Sequence, residues 1–189
     1  MKNTSRLIWV SFLFVVFMSL AGCNKENLSI STQSGVRYKI PFGGKAVDYT
    51  NVLVTRAVDG DTLVLETGER VRLIGIDTPE MHESNKLTRD SDRSQQDIET
   101  IKAMGRQSYE FTKRLVEGKR VSLEFDVEKQ DRYKRMLAYV YLKDGTFVNA
   151  EIVKQGFASL MTYPPNVKYV DLFTKLYKEA RENNRGLWK

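Results

Sequence analysis

Two short segments of this chain place acidic and basic side chains where a strand runs into a turn. The first is Val58-Asp59-Gly60-Asp61-Thr62, and the second is Arg72-Leu73-Ile74-Gly75-Ile76-Asp77-Thr78-Pro79-Glu80. Each has an ordinary reading by itself: Asp-Gly is a common turn pair, and a proline after Asp77-Thr78 can simply fix a strand exit. Together they supply the carboxylates of Asp61 and Asp77. With backbone carbonyls and water, these are the donors a hard divalent cation takes, and calcium and magnesium both suit them. No histidine or cysteine cluster competes, because the chain holds one histidine, His82, and one cysteine, Cys23. His82 lies in a polar stretch and reads as incidental rather than as a catalytic base.

A third segment, Lys129-Gln130-Asp131-Arg132-Tyr133-Lys134-Arg135, packs four cations and an aromatic ring into seven positions. A solvated hairpin loop looks the same. A phosphodiester, however, calls for planar, permanently charged donors, and arginine's fork matches two phosphate oxygens. Arg72 and Arg135 each fall at a predicted strand end, from which they can face the acidic pair. Cutting such an ester concentrates negative charge on nonbridging oxygens, which a divalent ion and two guanidinium groups meet directly. The attacking water also needs a carboxylate beside the metal ligands, and only Glu80 stands there. One tension follows from strand geometry. Arg72 and Asp77 are an odd number of positions apart, so strict alternation puts them on opposite faces unless the strand ends early or Gly75 marks a bulge.

The elements that must position these groups follow from periodicity. Val52 to Ala57, Thr62 to Glu66 and Arg70 to Ile76 are short, β-branched and separated by Asp59-Gly60 and Thr67-Gly68, which predicts a three-stranded meander. Residues 81 to 97 are polar without an apolar period and read as a long exposed loop. Ile98, Ile101, Met104, Phe111 and Leu115 then recur at helical spacing up to Gly118, a suitable C-terminal stop. Lys119 to Val127 and Arg135 to Leu142 predict two more strands, closed by Lys143-Asp144-Gly145. Asn149 is placed to cap a short helix running to Gln155. Tyr169, Leu172, Phe173, Leu176, Tyr177 and Ala180 form one face of a last helix, whose opposite charged face reads as solvated. The fold class expected is α+β: a five-stranded OB-fold barrel with about three helices, an architecture often used for oligonucleotides.

Read in order, Asp59-Gly60-Asp61-Thr62, Arg72 through Glu80, and Asp131 through Arg135 followed by Leu137-Ala138-Tyr139 resemble the three signature segments of the staphylococcal nuclease family. Gly118 to Phe125, Val148 to Gly156, Tyr163-Pro164-Pro165-Asn166 and Gly186-Leu187-Trp188 are similar too, so the resemblance spans residues 50 to 188. It implies a calcium-dependent phosphodiesterase that cuts DNA and RNA, single-stranded or unpaired by preference, leaving 3′-phosphate ends. On this resemblance Asp61, Asp77 and the Thr78 carbonyl hold calcium, with Asp59 behind them. Glu80 orients or deprotonates the attacking water, Arg72 and Arg135 clamp the phosphate, and Tyr133, Tyr163 and Arg132 contact substrate. Three departures stand out: the stretch between Glu80 and the first predicted helix is longer than in short secreted members, Lys134 stands where the family often has glycine, and near Tyr163 the match needs a one-residue shift, so only one of the family's two substrate-contacting tyrosines carries over there. A non-catalytic nucleic-acid-binding OB-fold lipoprotein is the rival reading, but a pure binder has no need of Asp61, Asp77 and Glu80 together.

Composition bounds the rest. The chain has 189 residues, 41% of them hydrophobic, which excludes a disordered chain, and its lone cysteine excludes a disulfide scaffold or a cysteine-built metal site. Lys2 and Arg6 precede an apolar run that ends in Leu20-Ala21-Gly22-Cys23, a pattern that reads as a secretory signal. The last four residues resemble the bacterial lipobox, in which the cysteine is acylated and becomes the mature N-terminus; a secreted protein cut elsewhere is the plainer alternative. The expected organisation is a signal peptide over 1–22, a lipidated N-terminus and flexible tether over 23–45, and the nuclease-like domain over 46–189. Two or more acyl chains anchor a protein stably, so the expected location is the membrane surface, facing the cell exterior or the periplasm. Removing Lys2 and Arg6 leaves 28 basic and 24 acidic residues, a balance of +4 that still favours an acidic partner. No oligomer seam is visible, so a monomer without an obligate protein partner is expected.

Overall fold

Val52, Val54 and Ala57 turn inward from one strand while Thr55 and Arg56 stay in water, and buried and less buried residues alternate strictly in the strand Arg120–Glu124 that pairs with it. The computed structural model describes residues 39–42 and 45–189. In chain order the strands are β1 (Lys39–Phe42), β2 (Lys45–Asp48), β3 (Val52–Ala57), β4 (Thr62–Leu65), β5 (Arg70–Leu73) and β6 (Gly75–Asp77), then β7 (Arg120–Glu124), β8 (Met136–Leu142) and β9 (Ser159–Met161). The helices are α1 (Asn85–Ser94), α2 (Ile98–Val116), α3 (Val148–Lys154) and α4 (Val170–Glu182), with a 3-10 turn at Gly186–Trp188. The β1–β2 hairpin begins inside the stretch expected as tether; the signal segment and Cys23 lie outside the described residues.

Five strands close a barrel in the order β3-β4-β5-β8-β7, as the OB-fold expectation requires. All neighbours are antiparallel except β5 and β8, which run parallel with Arg72 opposite Leu137. A bulge at Thr55 bends β3, whose register shifts between Val54 and Arg56. Val54, Leu63, Leu65, Val71, Val121 and Val140 fill the interior, each at most 1% exposed.

Three expectations are corrected. The third predicted strand is two: β5 stops at Leu73, and β6 leaves the barrel to pair with β9. The predicted loop over 81–97 contains a helix, α1, that apolar periodicity cannot reveal because Leu87 is the one buried residue among those described in it. The Ser84 hydroxyl caps it by accepting from Leu87 N at 3.1 Å. Asn149 does not cap α3. It lies inside that helix, fully buried, and its side chain accepts from Val140 N and donates to Ile74 O, both at 3.0 Å.

The buried face of α2 also differs from the apolar spacing. It consists of Ile101, Gly105, Ser108, Thr112 and Val116, while Ile98 is exposed. Small polar residues are tolerated there because their hydroxyls find backbone acceptors: Ser108 donates to Phe157 O at 2.8 Å and Thr112 to Gly60 O at 2.7 Å.

Candidate active site

Thr62 pairs with Arg72 across β4 and β5, and Leu73 N donates to Asp61 O at 2.9 Å, so Arg72 lies alongside Asp61. The parity problem between Arg72 and Asp77 disappears at Gly75, which takes φ +83° and ends the alternation. A side chain there would also strike the Phe173 ring, at 2.5 Å from an added Cβ. The chain turns at this point, and Asp77 comes round to the same guanidinium. Arg72 Nη1 pairs with Asp61 Oδ1, while Nη2 pairs with Asp77 Oδ1 at 2.8 Å and donates to Ile76 O at 3.2 Å. Two carboxylates and one arginine thus form a single compact unit.

Asp61 is only 4% exposed, so its charge requires partners on every side. Thr78 supplies two to Oδ2, from its backbone N–H at 2.9 Å and its hydroxyl at 3.1 Å. The Thr62 hydroxyl donates to Oδ1 at 3.2 Å, and Asp59 Oδ1 accepts from Asp61 N at 3.0 Å. The turn that carries these acids is pinned by Thr112 on α2. Gly60 lets Thr78 approach, since a Cβ at Gly60 would sit 2.7 Å from Thr78 Cγ2. Gly105 does the same for Glu80: α2 crosses so closely that a Cβ there would lie 2.6 Å from the Glu80 carbonyl carbon and oxygen. Sequence reasoning read Gly60 only as a turn residue and passed over Gly105 and Thr112. A glycine inside a helical run is the one signal that could have found Gly105, because it marks a close backbone approach.

Arg135 is set by its own loop. Asp131 Oδ1 accepts from Tyr133 N at 2.8 Å and Arg135 N at 2.9 Å, and Oδ2 accepts from Arg135 Nε at 2.7 Å. Among the described residues the two terminal nitrogens of Arg135 carry no hydrogen bond. Lys134 takes φ +62°, the left-handed conformation that glycine adopts without cost, at the position where the resemblance led one to expect glycine. The Arg132 guanidinium stacks 4.9 Å from the Tyr133 ring centroid, and Tyr133 and Tyr163 are 66% and 70% exposed. Asn166 ties the Tyr163 turn to the hairpin by accepting from Glu128 N at 2.8 Å and donating to Glu128 O at 2.9 Å.

Asp59, Asp61, Arg72, Asp77, Glu80, Arg132, Tyr133, Arg135 and Tyr163 all line one cleft of about 1160 Å³. Thr78 lies buried behind it, bonded to Asp61. His82 is exposed and does not line the cleft. Among the described residues no three His, Cys, Asp or Glu side chains cluster as a ready-made metal cage. The donors that do converge, two carboxylates drawn to one cation, are all oxygen. They fit a hard ion that completes its shell with backbone carbonyls, water and substrate oxygens.

A family model described as staphylococcal nuclease homologue matches residues 70–189. A thermonuclease of Staphylococcus intermedius is 37% identical over 154 residues, covering 79% of this chain and 83% of that protein. A thermonuclease of Staphylococcus hyicus is 30% identical over 168 residues, covering 86% and 88%. Endonuclease YncB of Bacillus subtilis is 34% identical over 143 residues, covering 73% of this chain and 61% of that protein. On these matches, the chain belongs to the staphylococcal nuclease family and is a nuclease hydrolase.

Proposed function

We propose that this protein is a calcium-dependent nuclease that hydrolyses DNA and RNA phosphodiesters, single-stranded or unpaired ones by preference, leaving 3′-phosphate ends. The observation that carries the reading is the convergence of Asp61 and Asp77 on one cation, Arg72, in the cleft that also holds Arg135 and Glu80. Calcium held by Asp61, Asp77 and the Thr78 carbonyl would supply positive charge against the nonbridging oxygens as they gain charge. Arg72 bridges the two carboxylates, and with an ion held by them its guanidinium would be available to phosphate. Arg135 offers its two terminal nitrogens to the same group while Asp131 holds Nε, so the fork is oriented before substrate arrives. Glu80 takes the proton of the attacking water, whose oxygen bonds to phosphorus. The bond from phosphorus to the 5′ oxygen breaks, that oxygen takes a proton from solvent and leaves as a hydroxyl while Glu80 returns its proton to solvent, and the phosphate stays on the 3′ side.

Tyr133 and Tyr163 present exposed rings at the cleft, which suits stacking against unpaired bases. Duplex bases offer no free faces, and that supports the preference for unpaired strands. We further propose that the chain is exported and anchored through acylated Cys23, so that the nuclease works at the membrane surface.

The test is cleavage of a single-stranded DNA in calcium and then in a chelator, with end-group analysis of the products. Loss of cleavage in the chelator, recovery with calcium and 3′-phosphate ends are expected; undiminished cleavage in the chelator, or 5′-phosphate ends, would overturn the mechanism. For the anchor, mass spectrometry of the N-terminus from native membranes should find acylated Cys23, and an unmodified N-terminus elsewhere would remove that part of the proposal.

A further inference from the structure

Helix α1 lacks the usual reason for a helix on a protein surface. One of its residues, Leu87, is buried; the rest of its described side chains are polar or charged and at least partly exposed, so little apolar burial holds it in place. Two of its exposed residues, Arg89 and Arg93, nevertheless line the same cleft as Arg72, Arg135 and Glu80. They are four positions apart, hence on one face and about 6 Å apart along the axis. Two like charges at that spacing weaken a helix, so the pair does not serve α1 itself.

The two arginines also differ from the catalytic pair in their partners. Arg72 is bound to Asp61 and Asp77, and Arg135 Nε to Asp131. Among the described residues the side chain of neither Arg89 nor Arg93 forms a hydrogen bond or ion pair. Asp90 lines the cleft beside them, so the described lining residues of α1 carry a net charge of +1. The exposed Arg132 and Tyr133, from the 129–135 loop, line the same cleft. The cleft that holds the acids of the proposed metal site thus also carries exposed arginines from two separate segments, α1 and the 129–135 loop, more cationic groups than the one phosphate being cut requires and suited to a longer polyanion.

We propose that α1 is a nucleic-acid-binding wall, on which Arg89 and Arg93 hold strand phosphates beyond the scissile one. The proposal rests on the nuclease reading for its ligand class, but it is a statement about binding and is tested without cleavage. The experiment is fluorescence anisotropy of a labelled 20-nucleotide single strand and of a labelled dinucleotide, in chelator, across a salt series. For R89Q/R93Q, affinity for the 20-mer should fall about tenfold and the salt slope should shrink by about 1.4, the value for two lost single-strand phosphate contacts. Dinucleotide affinity should not change. R89K/R93K should restore most of the 20-mer affinity, whereas a merely structural role for the guanidinium groups would leave it unrescued. K175Q/K178Q removes the same charge from the exposed face of α4 and should leave 20-mer binding at the wild-type level. Wild-type affinity and slope in R89Q/R93Q, equal losses in K175Q/K178Q, or no rescue by lysine would each overturn the proposal. Because no bond is cut, failure of the calcium mechanism appears only in the cleavage assay, and failure of the wall appears only here.

Discussion

Gly105→Ala tests how the barrel positions its proposed general base. Gly105 is buried in the middle of α2, and a Cβ there would lie 2.6 Å from the Glu80 carbonyl carbon and oxygen and 2.8 Å from Met81 N. Carbon contacts settle at about 3.5–4.0 Å, so admitting one methyl requires the helix and the Glu80–Met81 peptide to separate by roughly 1 Å. Backbone lies on both sides, so no rotamer change can absorb it. Overpacking of this kind costs about 1–3 kcal/mol, offset by up to about 1 kcal/mol because alanine is the better helix former. The variant should therefore fold with a lowered unfolding midpoint. Its chemistry should suffer more: a displacement near 1 Å at a reacting group lowers the rate by about 100-fold. The assay is steady-state cleavage of single-stranded DNA in saturating calcium, beside urea unfolding. We expect kcat to fall about 100-fold with KM little changed. Gly118→Ala is the control, since Gly118 has φ +74° and nothing within 4 Å of an added Cβ. It should lose about 1–2 kcal/mol of stability from backbone strain alone and keep kcat within about twofold. Wild-type kcat in Gly105→Ala would refute the claim that α2 sets the position of a catalytic Glu80.

Other outcomes follow from single contacts. Arg135→Lys loses both the Nε bond to Asp131 and the planar fork, so kcat on single-stranded DNA should drop by about two to three orders of magnitude at unchanged thermal stability; near-normal turnover would remove Arg135 from the mechanism. Asn149→Ala strands the buried Val140 N–H and Ile74 carbonyl and should cost about 2–4 kcal/mol by urea unfolding; a loss under about 0.5 kcal/mol would contradict the bridging role. Burial first, and the neighbouring Glu69 second, push the Tyr49 phenol up to about 12. Its folded value then exceeds its unfolded value near 10, so its contribution is complete below pH 10 and is lost as pH rises toward 12, by about 3 kcal/mol. Urea midpoints at pH 9 and 11 should show the decline, smaller in Tyr49→Phe. A midpoint that does not move with pH would argue against it.

The barrel was legible because alternation with short turns survives in the sequence: β3, β4 and the turns at Gly60 and Gly68 lie where the pattern puts them. So were the acids and arginines, whose chemistry is unusual enough to read from type and order. What sequence periodicity could not convey is what depends on contact. α1 is anchored by one leucine and a serine cap, too little for an apolar period to register. The inner face of α2 uses Ser108 and Thr112, residues whose burial makes sense only once Phe157 and Gly60 are seen to accept their hydroxyls. Asn149 looked like a helix cap because asparagine favours that position, but the backbone groups of two other segments claimed its side chain. Gly75 was flagged by the parity of Arg72 and Asp77, and the break at that residue is how the structure answers it.

The most direct test of the account is the calcium dependence of cleavage in wild type and in Asp77→Asn. Asp77 is proposed as an ion ligand and also holds Arg72 Nη2, so replacing its charge should weaken the ion site and loosen the arginine together. The half-saturating calcium concentration for cleavage of single-stranded DNA should rise at least about tenfold, the change expected for losing about 1.4 kcal/mol of ion binding. An unchanged calcium dependence with unchanged rate would contradict the central claim that Asp61 and Asp77 together hold the metal that cleavage requires.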